Sequence, residues 1–241
     1  MNILLIRRDD ILRICPDDVK KRFSEEELMH IARELGAFWQ YDYVAAEKGR
    51  VGQHALLKSG RHSDGFFASK ILLEHENILE IMARQIARTS SCLGLSHIAG
   101  VPNGATELAQ KTAGFLPGVE VVKLEKIDGF IRLLSDIPPG SAVLFVEDFC
   151  TRGTGFMEAV HEVILRCKDA VVLPWLLCII NRGGLSVIEM ENLGKFLIFP
   201  IAEVRITDWE KEECPLCKMG SIPVKPKESQ ENWKGLLSPQ A

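Results

Sequence analysis

The sequence predicts an α/β fold with a mostly parallel central sheet and helices on both of its faces. Strand-like and helix-like patterns alternate between residues 97 and 180, as they do in chains built from strand–helix–strand units. The run Val143–Val146 is apolar at four successive positions, which is typical of a strand buried on both faces of a parallel sheet.

The composition is that of a globular protein with a substantial core. The chain has 241 residues, of which 46% are hydrophobic and 26% charged. A net charge of only −4 gives no electrostatic reason to expect nucleic acid or a membrane as the main partner. The seven cysteines are odd in number and scattered, and we see neither an export signal nor an apolar run of membrane-spanning length. We therefore expect a cytoplasmic protein with reduced thiols.

The predicted elements follow in chain order. Residues 1–23 form an amino-terminal extension without a clear pattern. Ser24–Glu27 is a capping box that opens a helix, which Gly36 can end. Further helices are predicted over 77–88, from about 104 to 112 and over 154–166. Strands are predicted over 97–101, 119–124, 143–146 and 170–180, and a long polar loop connects the second of these to 141. A last strand over 196–201 is expected at the edge or end of the sheet. Residues 207–241 are rich in Glu, Lys, Pro and Ser, and we expect an extension that is partly disordered or laid over the domain.

Two carboxylates and a loop of hydroxyls and glycines follow the buried strand. Glu147 and Asp148 end the strand, at the edge of the sheet where α/β proteins bind ligands. The next loop can wrap a phosphate with backbone N–H groups and hydroxyls at the start of a helix; it consists of Thr151, Arg152, Gly153, Thr154 and Gly155. This order predicts a site for a phosphorylated sugar. Taken alone, the acid pair is equally consistent with a strand end that caps the following helix.

This stretch resembles the signature of type I phosphoribosyltransferases: an apolar strand, two acids, two variable residues and then Thr-x-Gly-Thr. The resemblance implies that Glu147 and Asp148 contact the ribose hydroxyls of phosphoribosyl pyrophosphate and that the loop 151–155 holds its 5-phosphate. It also implies a type I phosphoribosyltransferase fold over residues 24–206, with a small amino-terminal hood formed by elements from 24–70.

A second motif, Leu57–Ser63 followed by Phe66-Phe67, is similar to the amino-terminal signature of orotate phosphoribosyltransferases. Alone, it is also consistent with a hairpin that has two core phenylalanines. A lysine can hold an anionic oxygen, and an aromatic face can cover a planar pyrimidine. The resemblance places Lys58, Phe66 and Phe67 in the base pocket.

A third segment, Asn181-Arg182-Gly183-Gly184, resembles the family turn whose arginine pairs with the orotate carboxylate, with Asn181 where Asp is usual. Bidentate pairing of this kind would distinguish orotate from uracil. Taken alone, the segment is also consistent with a solvated turn. The resemblance therefore assigns Arg182 to the base pocket.

The turn after the strand over 97–101 corresponds to the family segment that presents backbone N–H groups to pyrophosphate. The resemblance assigns this contact to Val101, Asn103 and Gly104.

The catalytic loop departs from the family pattern Arg-Lys-x-x-Lys-x-His-Gly. In the segment Val122–Phe130, Lys123 takes the arginine position and Gly129 the histidine position. Leu124 and Ile127 replace the two lysines, and Lys126 lies one residue from the second lysine position. Lys126 is therefore the candidate cation for the pyrophosphate leaving group. The departure leaves three possibilities: slow catalysis, a different use of Lys126, or lost catalysis.

The resemblance implies an orotate phosphoribosyltransferase of de novo pyrimidine synthesis. Such an enzyme converts orotate and phosphoribosyl pyrophosphate to orotidine monophosphate and pyrophosphate, with substrate-bridged Mg²⁺. It acts as a homodimer with shared active sites, because the catalytic loop closes over the neighbouring subunit. The alternatives are a phosphoribosyltransferase for another nucleobase and a non-catalytic regulator that binds phosphoribosyl pyrophosphate or a nucleotide. Cys150 has no histidine neighbour in the sequence, so we do not expect a covalent nucleophile.

Cys214-Pro215-Leu216-Cys217 resembles half of a zinc knuckle. A structural Zn²⁺ at Cys214 and Cys217 needs further ligands. Cys15, Cys178 or histidines could complete the set only through the fold, or two chains could share an ion. A redox pair and unliganded thiols are the alternatives.

Overall fold

The computed structural model describes residues 2–240. Its α-helices are α1 (Arg8–Ile11), α2 (Glu25–Glu34), α3 (Tyr43–Glu47), α4 (Ser69–Leu73), α5 (Glu76–Ser90), α6 (Thr106–Ala113), α7 (Thr154–Arg166), α8 (Pro215–Lys218) and α9 (Gln230–Leu237). Short 3-10 helices lie at Ile3–Leu5, Pro16–Asp18 and Lys211–Glu213. The strands are β1 (Phe38–Gln40), β2 (Gln53–Leu56), β3 (His62–Ser63), β4 (Gly65–Phe67), β5 (His97–Gly100), β6 (Glu120–Val122), β7 (Leu124–Ile127), β8 (Phe130–Leu133), β9 (Ala142–Cys150), β10 (Val171–Asn181), β11 (Val187–Met190), β12 (Gly194–Glu203), β13 (Asp208–Trp209) and β14 (Ile222–Val224).

The chain forms two compact units. The first contains the chain up to Ile31 together with Leu72–Val204, and the second contains Ala32–Ile71 together with the chain from Arg205. The upper boundary lies close to the predicted one at 206. The amino-terminal part of the predicted domain is divided between the units. Residues 32–71 belong to the second unit, together with the carboxy-terminal segment.

The first unit is built around a six-stranded sheet with the order β11-β12-β10-β9-β5-β6. All neighbouring strands are parallel except the edge strand β11, which is antiparallel to β12. This confirms the predicted α/β fold with a mostly parallel sheet. The chain passes from β5 through α6 to β6 in one direction and from β9 through α7 to β10 in the other. Because such crossovers are right-handed, α6 and α7 cover opposite faces of the sheet.

The point where the direction reverses lies between β5 and β9. At such a switch point the loops after the two strands diverge and leave a crevice at their carboxyl ends. The core beneath it contains a chain of edge-to-face aromatic rings, with Phe156 of α7 at 5.5 Å from Phe145 of β9 and 5.2 Å from Phe196 of β12. This packing fixes the start of α7 against the sheet.

The amino-terminal capping box is confirmed. Ser24 Oγ accepts a hydrogen bond from the Glu27 N–H at 3.2 Å, and a Glu27 carboxylate oxygen accepts one from the Ser24 N–H at 3.0 Å. These two bonds satisfy two N–H groups that the first turn of α2 would otherwise leave without partners.

Three sequence-based expectations about strands are corrected. The strand predicted over 196–201 is β12, and it lies one position inside the sheet, because the unpredicted strand β11 forms the edge. The strand predicted over 119–124 ends at Val122. Most of the predicted polar loop that follows is the antiparallel hairpin β7–β8. Its turn residues, Asp128 and Gly129, both have positive φ, as a tight two-residue hairpin turn requires.

The second unit contains a four-stranded sheet with the order β13-β3-β2-β14 and a two-stranded sheet of β1 and β4. Its core combines side chains from both parts of the chain, including Trp39, Phe66, Leu216 and Leu236. The carboxy-terminal segment, expected to be partly disordered or laid over the domain, therefore supplies two strands, two helices and core residues to this unit.

Candidate active site

The acid pair, Glu147 and Asp148, lies near the carboxyl end of β9, which hydrogen-bonds to β10 on one side and β5 on the other. Cys178 of β10 is the register partner of Glu147. The pair is therefore held on the central strand, next to the switch point, where the fold leaves a crevice.

Glu147 is buried without a hydrogen-bond partner for one of its oxygens. The residue is 9% exposed, and Oε2 has no partner among the described residues. Burial, helped by the nearby Asp148 charge, raises the pKa of Glu147 to about 8. Since an unsatisfied buried oxygen costs free energy, this carboxyl group is suited to a ligand that brings hydroxyl donors or positive charge.

The turn after β5 lies directly against Asp148. A Cβ atom at Gly104 would collide with the Asp148 carboxylate, so only glycine fits there without a shift. The turn is fixed at its start by the Val101 N–H, which donates to the Val146 carbonyl at 2.9 Å. The peptide that joins Pro102 to Asn103 is cis. The structure thus places Gly104, in the turn predicted to bind pyrophosphate, against Asp148.

The loop 151–155 leads into the amino terminus of α7. Gly153 has φ +67°, a left-handed conformation that favours glycine, and it precedes the first helical residue, Thr154. The first N–H groups of a helix lack intrahelical partners and point out along its axis. Since the N-cap residue of α7 is Gly153, which makes no side-chain cap hydrogen bond, these donors suit an anion. Arg152 and Thr154 are exposed at this loop.

Arg182 lies beside that loop. Its backbone N–H donates to the Cys150 carbonyl at 2.9 Å, and a Cβ atom at Gly183 would collide with the Thr151 carbonyl. Asn181, which is 1% exposed, holds the turn: its amide donates to the Leu185 carbonyl at 2.8 Å, and its Oδ1 accepts from the Gly183 N–H at 3.3 Å. The side chain of Asn181 is therefore structural, and it places Arg182 next to the predicted phosphate loop.

Lys123 and Lys126 lie at the hairpin β7–β8, and both are exposed. The hairpin is anchored to α7 through two carboxylates. Glu158 accepts from the Ile131 N–H at 2.7 Å, and Glu162 accepts from the Leu133 N–H at 3.1 Å. Lys126 pairs with Ile131 across the hairpin, so its backbone position is defined by the same anchor.

Cys150 is buried at the start of the loop. Burial, with the nearby Glu147 charge, raises the pKa of this thiol to about 12. The thiol is therefore protonated at neutral pH. This is consistent with the expectation that Cys150 is not a nucleophile.

The predicted base-pocket residues Lys58, Phe66 and Phe67 belong to the second unit. Lys58 lies in the turn between β2 and β3 and borders, with Phe66, a cavity of about 550 Å³. The same cavity is lined by Lys225 and Lys227 of the carboxy-terminal segment, and the Lys227 ammonium lies 5.8 Å from the centre of the Phe66 ring. Phe67 follows on the opposite side of β4, and its ring lies 5.4 Å from that of Phe38.

Cys214 and Cys217 also belong to the second unit, where the structure brings them together with His54 and His62. Sequence reasoning did not single out these two histidines. The available signal was weak, since His54 and His62 lie about 160 residues before the thiols. Cys15 and Cys178, the other ligands considered, belong to the first unit.

No family model matches the chain. Among curated proteins, the chain is 30% identical to the orotate phosphoribosyltransferase of Nitratiruptor sp. over 185 residues, which cover 72% of this chain and 90% of the relative. It is 31% identical to the orotate phosphoribosyltransferase of Caldanaerobacter subterraneus over 179 residues, which cover 72% and 87%. The chain belongs to the orotate phosphoribosyltransferase family.

Solved structures confirm the type I phosphoribosyltransferase fold. Orotate phosphoribosyltransferase from Aeropyrum pernix superposes with a TM-score of 0.52 at 20% identity, covering 73% of this chain and 93% of that one. Adenine phosphoribosyltransferase from Leishmania tarentolae superposes with a TM-score of 0.50 at 13% identity, covering 66% and 87%. Since proteins named for different bases share this fold, the fold alone does not assign the base.

No helix among residues 2–240 combines the length and the apolar character that a membrane crossing requires.

Proposed function

We propose that this protein is an orotate phosphoribosyltransferase. It would transfer the phosphoribosyl group from phosphoribosyl pyrophosphate to orotate, giving orotidine monophosphate and pyrophosphate in de novo pyrimidine synthesis. The observation that carries the proposal is the acid pair near the carboxyl end of β9, with a buried Glu147 oxygen that has no partner among the described residues, beside the start of α7 at Gly153. Family membership supports orotate as the base.

In this proposal, different segments of the first unit bind different groups of the substrates. The N–H groups at the start of α7 and the hydroxyls of Thr151 and Thr154 bind the 5-phosphate. Glu147 and Asp148 accept hydrogen bonds from the ribose hydroxyls. The turn 101–104 donates backbone N–H groups to pyrophosphate, and Arg182 pairs with the orotate carboxylate. The protein positions the reactants and stabilises charge as pyrophosphate leaves, without a covalent nucleophile.

Lys58, Phe66 and Phe67 are proposed as base-binding residues, as the family resemblance implies. The ammonium of Lys58 would bind an anionic oxygen, and the ring of Phe66, which borders the same cavity, would favour a planar ring. Phe67, on the opposite side of β4, would hold this strand in place through its contact with Phe38. Lys126 is the proposed cation for the departing pyrophosphate, with Lys123 as a second cation on the same hairpin.

Magnesium belongs to the same proposal, and the residues present fit it. Glu147 and Asp148 offer carboxylate oxygens, the ligand type that Mg²⁺ prefers, and Glu147 Oε2 has no partner among the described residues. When bound, the ion would compensate the charge of the pyrophosphate oxygens of the substrate.

A turnover assay tests the proposal. The purified protein, with magnesium and phosphoribosyl pyrophosphate, is offered orotate, uracil and adenine in turn, and pyrophosphate release is measured. We expect turnover with orotate alone. Turnover only with another base would replace the orotate assignment, and binding of phosphoribosyl pyrophosphate without any turnover would favour a regulator.

Lys126→Ala tests the role of the hairpin. We expect kcat to fall on the order of 10²-fold, because a cation that stabilises charge in the transition state is lost. Lys168→Ala is the matched control, since Lys168 is also an exposed lysine in the first unit. Unchanged kcat in Lys126→Ala would remove Lys126 from the active site.

We also propose a homodimer with shared active sites. Support comes from the tip of the hairpin β7–β8, where Ile127 and Phe130 are 43% and 60% exposed. A mixture of Lys126→Ala and Glu147→Gln subunits tests sharing. If the lysine acts in the partner's site, random reassociation should restore about a quarter of wild-type activity, because half of the dimers then have one intact site. No recovery, or a monomer in light scattering, would contradict this proposal.

A cytoplasmic location is proposed as well. It is supported by the seven cysteines, none of which forms a disulfide, as expected in a reducing compartment. Fractionation of the source cells with an antibody to the protein would test it.

A further inference from the structure

Two buried histidines share one face of the hairpin β2–β3. Leu56 of β2 is the register partner of His62 on β3, so His54, two residues before Leu56, is the diagonal neighbour of His62 on the same face. His54 is 0% and His62 2% exposed. His54 Nε2 and His62 Nδ1 lie 2.8 Å apart.

The carboxy-terminal segment brings two thiols to these rings. β13 pairs with β3 and β14 pairs with β2, so the chain between them crosses from one edge of the four-stranded sheet to the other. Cys214 and Cys217 lie in this crossing. Cys214 Sγ is 3.7 Å from His54 Nε2, and Cys217 Sγ is 3.6 Å from His54 Nε2 and 3.2 Å from His62 Nδ1.

These distances fit a single tetrahedral ion. Zn–S bonds of about 2.3 Å and Zn–N bonds of about 2.0 Å place neighbouring ligand atoms roughly 3.3–3.8 Å apart. The three sulfur–nitrogen distances are close to this range, and all four ligand atoms lie within 4.8 Å of one another. The nitrogen–nitrogen distance of 2.8 Å is shorter, and a shift of one ring by about half an ångström would bring it into the tetrahedral range.

A second hydrogen bond orients the ring of His54. Ser221 Oγ donates to the Gly52 carbonyl at 3.2 Å, so it accepts from His54 Nδ1 at 2.9 Å. This arrangement places the proton on Nδ1 and directs the lone pair of Nε2 towards the two thiols. Metal-ligating histidines are typically held by such a bond on the other ring nitrogen.

We propose that His54, His62, Cys214 and Cys217 bind one structural zinc ion. Two thiolates and two imidazoles are a donor set that suits zinc. Four protein ligands leave no position for water or substrate, which is the arrangement of a structural site and not of a catalytic one.

The geometry favours zinc over the two alternatives. A redox pair would have to use Cys214, which is 0% exposed, although Cys217 is partly exposed. Unliganded thiols would not require two buried imidazoles to point at them. The ion would join the hairpin β2–β3 to the carboxy-terminal segment, and so stabilise the turn between the two strands.

Metal analysis of the full-length protein, purified without chelator or a metal-affinity column, tests the proposal. We expect about one zinc per chain in the wild type and in Cys92→Ser, whose exposed thiol lies outside the cluster. Cys214→Ser and His62→Ala should each retain less than roughly a tenth of that amount. Full zinc content in these two variants, or a wild type that contains no zinc, would overturn the proposal.

Cobalt substitution covers the case in which the variants fail to fold. Wild-type protein, stripped of metal and reduced, is titrated with Co²⁺. We expect the visible spectrum of a tetrahedral site together with thiolate-to-cobalt charge-transfer absorption, saturating at one equivalent, and competition by Zn²⁺. Absence of that spectrum, or a Cys214–Cys217 disulfide found by mass spectrometry in protein isolated under reducing conditions, would refute the site.

Discussion

The acid pair of the first unit and the thiol–imidazole cluster of the second are both buried groups of polar side chains. They differ in whether their polar atoms have partners for hydrogen bonding or coordination. Glu147 Oε2 has no partner among the described residues. In the cluster formed by His54, His62, Cys214 and Cys217, the four ligand atoms all lie within 4.8 Å of one another. An unsatisfied buried carboxyl group indicates a ligand that comes and goes, whereas a closed set of ligands indicates a permanent structural ion.

Chelation should produce the largest effect and should separate the two regions. We expect a strong chelator to lower the Tm of wild-type protein by roughly 10 °C or more, because loss of a structural ion removes several kcal/mol of folding free energy. Tryptophan fluorescence is the suitable probe, since Trp39, Trp209 and Trp233 belong to the second unit and only Trp175 to the first.

Glu147→Gln serves as the comparison in that experiment. Its Tm should fall by the same amount on chelation, because the acid pair is not a ligand of the structural ion. A wild-type Tm that does not respond to chelation would contradict the distinction drawn between the two regions.

The pH dependence of stability should reveal the cost of the buried carboxyl group. Below about pH 4.5, Glu147 is protonated in both the folded and the unfolded chain. Between there and about pH 8 the unfolded chain releases the proton while the folded chain retains it, so the free energy of unfolding falls as pH rises. We expect Glu147→Gln to remove this fall, which is on the order of 4 kcal/mol. Denaturant unfolding at pH 5 and pH 8.5 measures it, and parallel curves for wild type and variant would contradict the burial argument.

The same substitution should damage the reaction while it stabilises the fold. At pH 8.5, where folded Glu147 is mostly ionised, we expect kcat/KM for phosphoribosyl pyrophosphate to fall on the order of 10²-fold in Glu147→Gln, because a charged acceptor for the ribose hydroxyls is lost. Initial rates with orotate in excess measure this. A variant as active as wild type would show that Glu147 is merely a strand-end residue.

Gly104→Ala should give the smallest effect and tests whether the turn must lie against Asp148. The added Cβ atom would collide with the Asp148 carboxylate. We expect KM for phosphoribosyl pyrophosphate to rise about tenfold, a cost of about 1.4 kcal/mol. Gly114→Ala is the control, because its nearest contact would be 3.3 Å, with the Lys111 carbonyl. Equal kinetics in the two variants would exclude a role for this close approach.

The sequence was most informative where a signal is local. The helix over 154–166 has the predicted bounds, and the Ser24–Glu27 capping box makes both of its hydrogen bonds. Apolar spacing, caps and glycines depend on neighbours a few residues away, so they can be recognised from one sequence.

Predictions failed where pairing or burial depends on distant residues. The hairpin β7–β8 was predicted as a loop, because its exposed charged residues obscure the alternation that is typical of strands. The hairpin is stabilised by hydrogen bonds to Glu158 and Glu162 of α7, which no local pattern reveals. The carboxy-terminal segment was expected to be partly disordered because of its polar composition. Its strands instead pair with β2 and β3, and Trp233 donates a hydrogen bond to the Gly36 carbonyl at 3.0 Å.

By itself, the sequence determined the α/β fold, the family resemblance and the contiguous strand–acid–loop motif, because their residues are adjacent in the chain. Only the tertiary structure decided that Gly104 lies against Asp148, that Glu147 is buried without a partner for one oxygen, and that two histidines meet a Cys-x-x-Cys pair. These three facts depend on sheet order and on a segment that crosses a hairpin, which bring together residues up to 163 positions apart. No local sequence pattern encodes these contacts, because they form only when the whole unit packs.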